Sequence, residues 1–320
     1  MTEILAEIAC LALGFLFLSR GADALVDGGV ALARRWGMEP TVIGLTVIAW
    51  GTSLPEIVVA SYASWQGQAG AAVGTVLGSN VANIGLVLGV TAMVLPAVIT
   101  KGASLRDGAW LLVALALLAG LAWDGSVDRI DAGVLLAAFL VYQAMLFLGP
   151  KQGGEAGDLA EVASHAAPKP FRAVLLGSTA IGVGARLVMY GGEGLAVRMG
   201  IPGTVIGLTI FAVGTSLPEL AAGIGSARRG HAGIGLGNVI GSNLFNTLAV
   251  VGLAGQVNPI ALESSAILAL QRRDLPVTAV FSVTLLALPR LLRGRGRSQA
   301  VLLILGYGSY MSYLFLQGAI

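Results

Sequence analysis

The residues best equipped for chemistry come as two copies of one hexapeptide, GTSLPE at 51–56 and again at 214–219. Each copy ends in a carboxylate, Glu56 or Glu219, preceded by a Thr–Ser pair, Thr52 and Ser53 or Thr215 and Ser216. Residues four apart share a helical face, so Thr52 lies beside Glu56 and Thr215 beside Glu219, with the serines close by. Pro55 and Pro218 lack the N–H that would bond the carbonyls of Gly51 and Gly214, and their rings push that turn of the helix open, so each copy also offers bare backbone oxygens around Gly51 and Thr52 or Gly214 and Thr215. A second polar run follows each hexapeptide, GTVLGSN at 74–80 and GNVIGSN at 237–243. In these runs Ser79 and Asn83 are four apart, as are Ser242 and Asn246. Carboxylates, hydroxyls, amides and carbonyls make an all-oxygen donor set around two negative charges. Such a set suits a hard cation such as Ca²⁺ and also admits Na⁺. Zinc, copper and iron are disfavoured, because His165 and His231 fall in connections and Cys10 is the single cysteine.

The elements that position these groups follow from composition. Of 320 residues 56% are hydrophobic and 11% charged, with a mean hydropathy of +0.85, whereas an ordinary soluble domain is about 25% charged. This is the composition of an all-α integral membrane protein. The net charge of +2 is small and the basic residues are scattered in pairs, which leaves no footprint for nucleic acid. The N-terminus lacks a basic leading region and a cleavage site, so it is read as a spanning helix and not a removable signal. Ten apolar stretches are expected near 4–33, 41–65, 71–98, 108–123, 131–149, 171–197, 204–227, 233–257, 275–290 and 299–317. Basic residues concentrate in the odd-numbered connections, as with Arg34 and Arg35, Arg228 and Arg229, and Arg290 to Arg297. The positive-inside rule then makes those connections cytoplasmic and places both termini outside.

The hexapeptides are separated by an offset of 163 that holds without a gap, and 22 of 43 positions agree between 41–83 and 204–246. Five helices separate equivalent points on this span assignment, and an odd number turns the second copy over in the membrane. Two inverted five-helix repeats are therefore expected, 1–149 and 171–320, joined by a cytoplasmic linker at 150–170. That arrangement puts a transporter's site near the midplane. An acidic residue in mid-helix costs about 2.5–3.5 kcal/mol on insertion scales. No basic residue lies in the core of these four helices, so bound cations or protons are left to neutralise Glu56 and Glu219. No nucleophile elbow surrounds the hexapeptide serines and no base shares their helices, which argues against an enzyme.

Taken together, GLTVIAWGTSLPE with GTVLGSN and GLTIFAVGTSLPE with GNVIGSN resemble the cation/calcium exchanger superfamily, in its compact prokaryotic sodium/calcium exchanger form. The resemblance covers nearly the whole chain. It implies ten transmembrane helices, outside termini, and central ion sites on the second, third, seventh and eighth helices. It implies secondary antiport of Na⁺ against Ca²⁺ by alternating access, with no cofactor and no protein partner beyond the lipid bilayer. Carried over by position, Glu56 and Glu219 resemble the carboxylates shared by the two ions, and the carbonyls of Thr52 and Thr215 resemble further Ca²⁺ ligands. Ala49, Ser53 and Ser79, with Ala212, Ser216 and Ser242, would complete flanking Na⁺ sites, and Asn83 and Asn246 would border the middle position. Some relatives carry Asp where this chain has Asn246, which lowers the expectation of potassium dependence. Proton-driven Ca²⁺ export is the alternative. The Gly-rich first and sixth helices are candidates for the pair that moves.

Overall fold

Apolar runs of this length satisfy their backbone in hydrocarbon by closing their hydrogen bonds internally. The computed structural model, which describes residues 2–100, 102–148, 167, 169–200 and 212–316, is helical nearly throughout. Its helices are α1 (Thr2–Trp36), α2 (Pro40–Trp65), α3 (Ala72–Val94), α4 (Leu105–Leu121) and α5 (Arg129–Leu148). They continue with α6 (Pro170–Arg198), α7 (Leu217–Arg228), α8 (Ala232–Val257), α9 (Ser264–Leu291) and α10 (Gly296–Leu316). Among the described residues, eight helices are long and apolar enough to cross a membrane. The other two are α4, with 17 residues, and α7, with 12. The stretch expected at 204–227 is described only from Ala212 onward, and most of the linker expected at 150–170 lies outside the described residues.

Three features depart from the sequence expectation. The helix expected at 275–290 reaches back to Ser264, so Arg272 and Arg273 lie inside α9 and not in the connection before it. Arg273 is tolerated there because its Nε bonds Asp274 Oδ1 at 2.7 Å, at a wide π turn spanning Leu270–Asp274. An otherwise helical chain also holds two short strands, β1 (Ser126–Val127) and β2 (Ile260–Ala261), paired antiparallel with Ser126 opposite Ala261. They tie the α4–α5 connection to the α8–α9 connection. Finally, π turns interrupt α2 at Gly44–Ile48, α3 at Asn83–Leu88 and α8 at Phe245–Val250. The last two occupy nearly equivalent places in the repeat, and such turns gather at functional sites.

The interior centres on α8, whose apolar window is 100% buried against 22% for α1. One apolar cluster, including Leu77, Ile84, Leu118, Leu135 and Phe245, wraps the outer side of α3 and α8. A second, including Leu25, Ile43, Ile48 and Ile181, lies between α1, α6 and the start of α2. Glycines bring α1 and α6 backbone to backbone: a Cβ on Gly21 would stand 2.8 Å from the Gly177 carbonyl oxygen, and one on Gly184 2.8 Å from that of Gly14. Polar and aromatic contacts fasten the helix ends. Trp36 meets Phe171 with ring centroids 5.8 Å apart, and Ser64 Oγ donates to the Asn258 carbonyl at 2.7 Å. Arg198 pairs with Glu3 and Glu7, and Arg229 with Asp23 and Asp27.

Candidate ion site

The polar residues singled out by the repeat gather where α2, α3, α7 and α8 meet, and nearly all are buried. Glu56 is 1% exposed and Glu219 0%. Ala49, Thr52, Ser53, Ser79, Asn83, Ser216, Ser242 and Asn246 are likewise buried, and Thr215 is half-buried. Ala212 begins the single turn Ala212–Gly214, and its side chain lies outside the description.

Several of these residues meet across the repeat boundary. Ser53 Oγ donates to Glu219 Oε1 at 3.2 Å, joining α2 to α7. Thr52 Oγ1 and Ser242 Oγ lie 3.4 Å apart, joining α2 to α8. Asn83 Nδ2 donates to Asn243 Oδ1 at 3.0 Å, joining α3 to α8. By contrast, among the described residues Ser79, Ser216, Asn246 and both carboxylate oxygens of Glu56 are buried without a hydrogen-bond partner, as is Glu219 Oε2. Each such polar group costs about 1–3 kcal/mol when left unsatisfied. Apart from the donor Asn246 Nδ2 these are oxygens around two carboxylates, and a hard cation would satisfy them together. Among the described residues no group of three His, Cys, Asp or Glu side chains forms.

The two hexapeptides do not fold alike. In the first, the helix runs unbroken from Ala49 to Trp65 with Pro55 inside it, so the break expected at the proline is absent. The ring still withholds the donor that Gly51 would use. In the second, the helix opens at Thr215 and Ser216, and α7 restarts at Leu217 with Pro218 in its first turn and Ser216 at φ −93°, ψ 4° as its cap. Helix α6 presses on both copies. A Cβ on Gly51 would run into Ser178 Oγ, and one on Gly214 would stand 2.6 Å from Met189 Cγ.

Four further polar residues belong to the site and were passed over in the sequence. Asn80 Nδ2 donates to Thr247 Oγ1 at 2.8 Å, Thr247 Oγ1 to the Asn243 carbonyl at 2.8 Å, and Asn243 Nδ2 to the Asn80 carbonyl at 3.2 Å. Asn238 bonds both Thr52 and the Glu219 carbonyl. Asn80 and Asn243 close the two GSN triplets, so their repetition was a usable signal. Thr247 and Asn238 gave none, since the offset pairs them with Ile84 and Thr75.

A buried, oxygen-lined cluster of ionisable and polar residues among membrane-length helices suits an ion carrier. The family model described as Sodium/calcium exchanger protein matches residues 6–148 and 170–316, and the chain belongs to that family. It is 34% identical to inner membrane protein YrbG of Escherichia coli over 98% of each chain. It is 30% identical to the sodium/calcium exchanger MaX1 of Methanosarcina acetivorans over 98% of this chain and 99% of the other. A solved structure of the sodium-calcium exchanger NCX_Mj matches with a TM-score of 0.77 at 30% identity, covering 97% of this chain and 99% of that one. The expected cation/calcium exchanger superfamily, and with it a membrane antiporter, is thereby established.

Proposed function

We propose that the chain exchanges Na⁺ for Ca²⁺ by alternating access, with Glu56 and Glu219 holding either ion. The observation that carries this reading is the set of bare, buried acceptors: among the described residues both oxygens of Glu56 and Oε2 of Glu219 lack a hydrogen-bond donor. Two carboxylates left this way match the charge of one Ca²⁺ or of two Na⁺, so one ion set must leave before the other enters. The carbonyls of Thr52 and Thr215 supply further Ca²⁺ ligands. Ala49, Ser53 and Ser79 serve one flanking Na⁺ position, Ala212, Ser216 and Ser242 the other, and Asn83 and Asn246 border the middle. The chain works as a carrier without a cofactor or a protein partner, not as an enzyme.

The same reading takes the chain as ten helices in two inverted halves, 1–149 and 171–320, joined by a cytoplasmic linker at 150–170, with both termini outside. Contacts between helix ends support the alternation. The β1–β2 pair links two even-numbered connections, and the Trp36–Phe171 contact links two odd-numbered ones. The closely packed α1 and α6 move as one body over the four-helix core.

The test is ⁴⁵Ca²⁺ uptake into proteoliposomes loaded with Na⁺, with K⁺, or held acid inside. Uptake that follows the Na⁺ gradient alone supports exchange of these two ions. Uptake that follows only the proton gradient replaces Na⁺ by H⁺ on the same carboxylates, and uptake under none of the three overturns Ca²⁺ as substrate.

A further inference from the structure

The two halves of the ion site are built differently, and one residue marks the difference. Asn238, on α8, is 1% exposed and spans two other helices with its amide. Its Oδ1 accepts from Thr52 Oγ1 of α2 at 3.3 Å, and its Nδ2 donates to the backbone carbonyl of Glu219 in α7 at 3.3 Å. The repeat offset sets Thr75 at the matching place on α3. A threonine has one hydroxyl on a short branch, whereas an amide has a donor and an acceptor on opposite arms, so the first half lacks the means to form this bridge.

The consequences are visible on either side. Where Asn238 reaches, Thr52 is held 3.4 Å from Ser242 Oγ, Ser53 donates to Glu219 Oε1, and the first hexapeptide stays helical. The second hexapeptide, which Asn238 reaches only at the Glu219 carbonyl, opens at Thr215 and Ser216, and among the described residues Ser216 Oγ has no partner and both oxygens of Glu56 are bare. We infer that Asn238 is a positioning residue that preorganises the Thr52–Glu219 half of the site for Ca²⁺, leaving the Glu56 half to be organised by the ion on arrival. Ligands already held in place bind without the cost of ordering them. Ca²⁺, which takes six to eight oxygens at once, depends on this more than Na⁺ does. The inference rests on the proposed Ca²⁺ site but not on which ion drives exchange.

The experiment is equilibrium ⁴⁵Ca²⁺ binding to the purified full chain, paired with uptake kinetics. Loss of both hydrogen bonds should weaken Ca²⁺ binding in Asn238→Ala by about tenfold. Maximal uptake should stay within about twofold of wild type. Because the two ions compete, the Na⁺ concentration giving half-displacement should fall along with the Ca²⁺ affinity, while the Na⁺ affinity itself changes less than the Ca²⁺ affinity does. Because Asn238 acts through Thr52, adding Asn238→Ala to Thr52→Val should weaken binding much less than the product of the two single effects. If Asn238→Ala does not fold, judged by its thermal transition, Asn238→Thr gives α8 the residue that α3 carries and should show the same loss. An unchanged Ca²⁺ Kd, multiplying effects in the double variant, or a lowered maximal rate at constant Kd would each overturn the inference. Binding needs no gradient, so a wild-type chain driven by protons would overturn the Na⁺ reading while this comparison still stands.

Discussion

Replacing Gly44 by alanine should separate the two helices that carry most of the ion site. The added Cβ would stand 2.5 Å from the Ile234 carbonyl oxygen, 3.0 Å from the Asn238 nitrogen and 3.0 Å from the Gly237 Cα. All three are backbone atoms of α8, so no side chain can swing aside. A carbon needs about 3.3 Å from a carbonyl oxygen, so α2 and α8 must part by about 0.8 Å there. The bonds from Thr52 to Asn238 at 3.3 Å and to Ser242 at 3.4 Å have no slack for that. Overpacking of this kind costs about 1–3 kcal/mol. The same range corresponds to roughly five- to 150-fold in binding. Gly44→Ala should therefore lower the thermal transition and raise the KM for Ca²⁺ uptake by at least about fivefold. Gly308→Ala is the control, because a Cβ there meets nothing within 4 Å and should leave both quantities unchanged. Wild-type stability and KM in Gly44→Ala would show that the close approach of α2 and α8 does not hold the site together.

Other perturbations separate the site from its supports. Ser53→Ala removes the donor to Glu219 Oε1 and should weaken Ca²⁺ binding by about ten- to 100-fold, as expected for a hydrogen bond to a charged group; equilibrium binding checks this. Asp107 accepts from Ser104 at 2.6 Å, Arg106 at 2.9 Å and Tyr142 at 3.3 Å, well away from the hexapeptides. Asp107→Ala should therefore lower the thermal transition while leaving the Ca²⁺ KM unchanged. Arg229 joins α7 to Asp23 and Asp27 on α1, and all three are partly exposed. Arg229→Gln should cost only about 1 kcal/mol, and the difference from wild type should fade in molar salt, where such pairs are screened.

What the sequence disclosed was set by symmetry and period. The offset of 163 found Glu56 and Glu219 without knowledge of the fold, because a motif repeated in apolar surroundings has few structural uses. The same device filtered out Asn238 and Thr247, whose partners across the repeat are Thr75 and Ile84. Apolar length located the helices but not their ends. Arg272 and Arg273 read as a loop, because hydropathy does not register that Asp274 neutralises one of them inside α9. The π turns left no mark either, since a one-residue slip in backbone pairing hardly alters an apolar pattern. Identical hexapeptides also predicted identical breaks, yet only the second opens. The difference lies in what surrounds each copy, and Asn238 beside Thr52 is part of it.

Competition between the two ions for the two carboxylates can be measured directly. Purified chain is equilibrated with ⁴⁵Ca²⁺ and titrated with Na⁺ or, in parallel, K⁺, for the wild type and for Glu56→Gln and Glu219→Gln. Shared carboxylates predict that Na⁺ displaces Ca²⁺ and K⁺ does not, and that either substitution weakens Ca²⁺ binding by at least about 100-fold, the roughly 2.7 kcal/mol expected when one charged partner is removed from a buried site. Ca²⁺ binding that survives both substitutions, or that Na⁺ fails to displace, would contradict it.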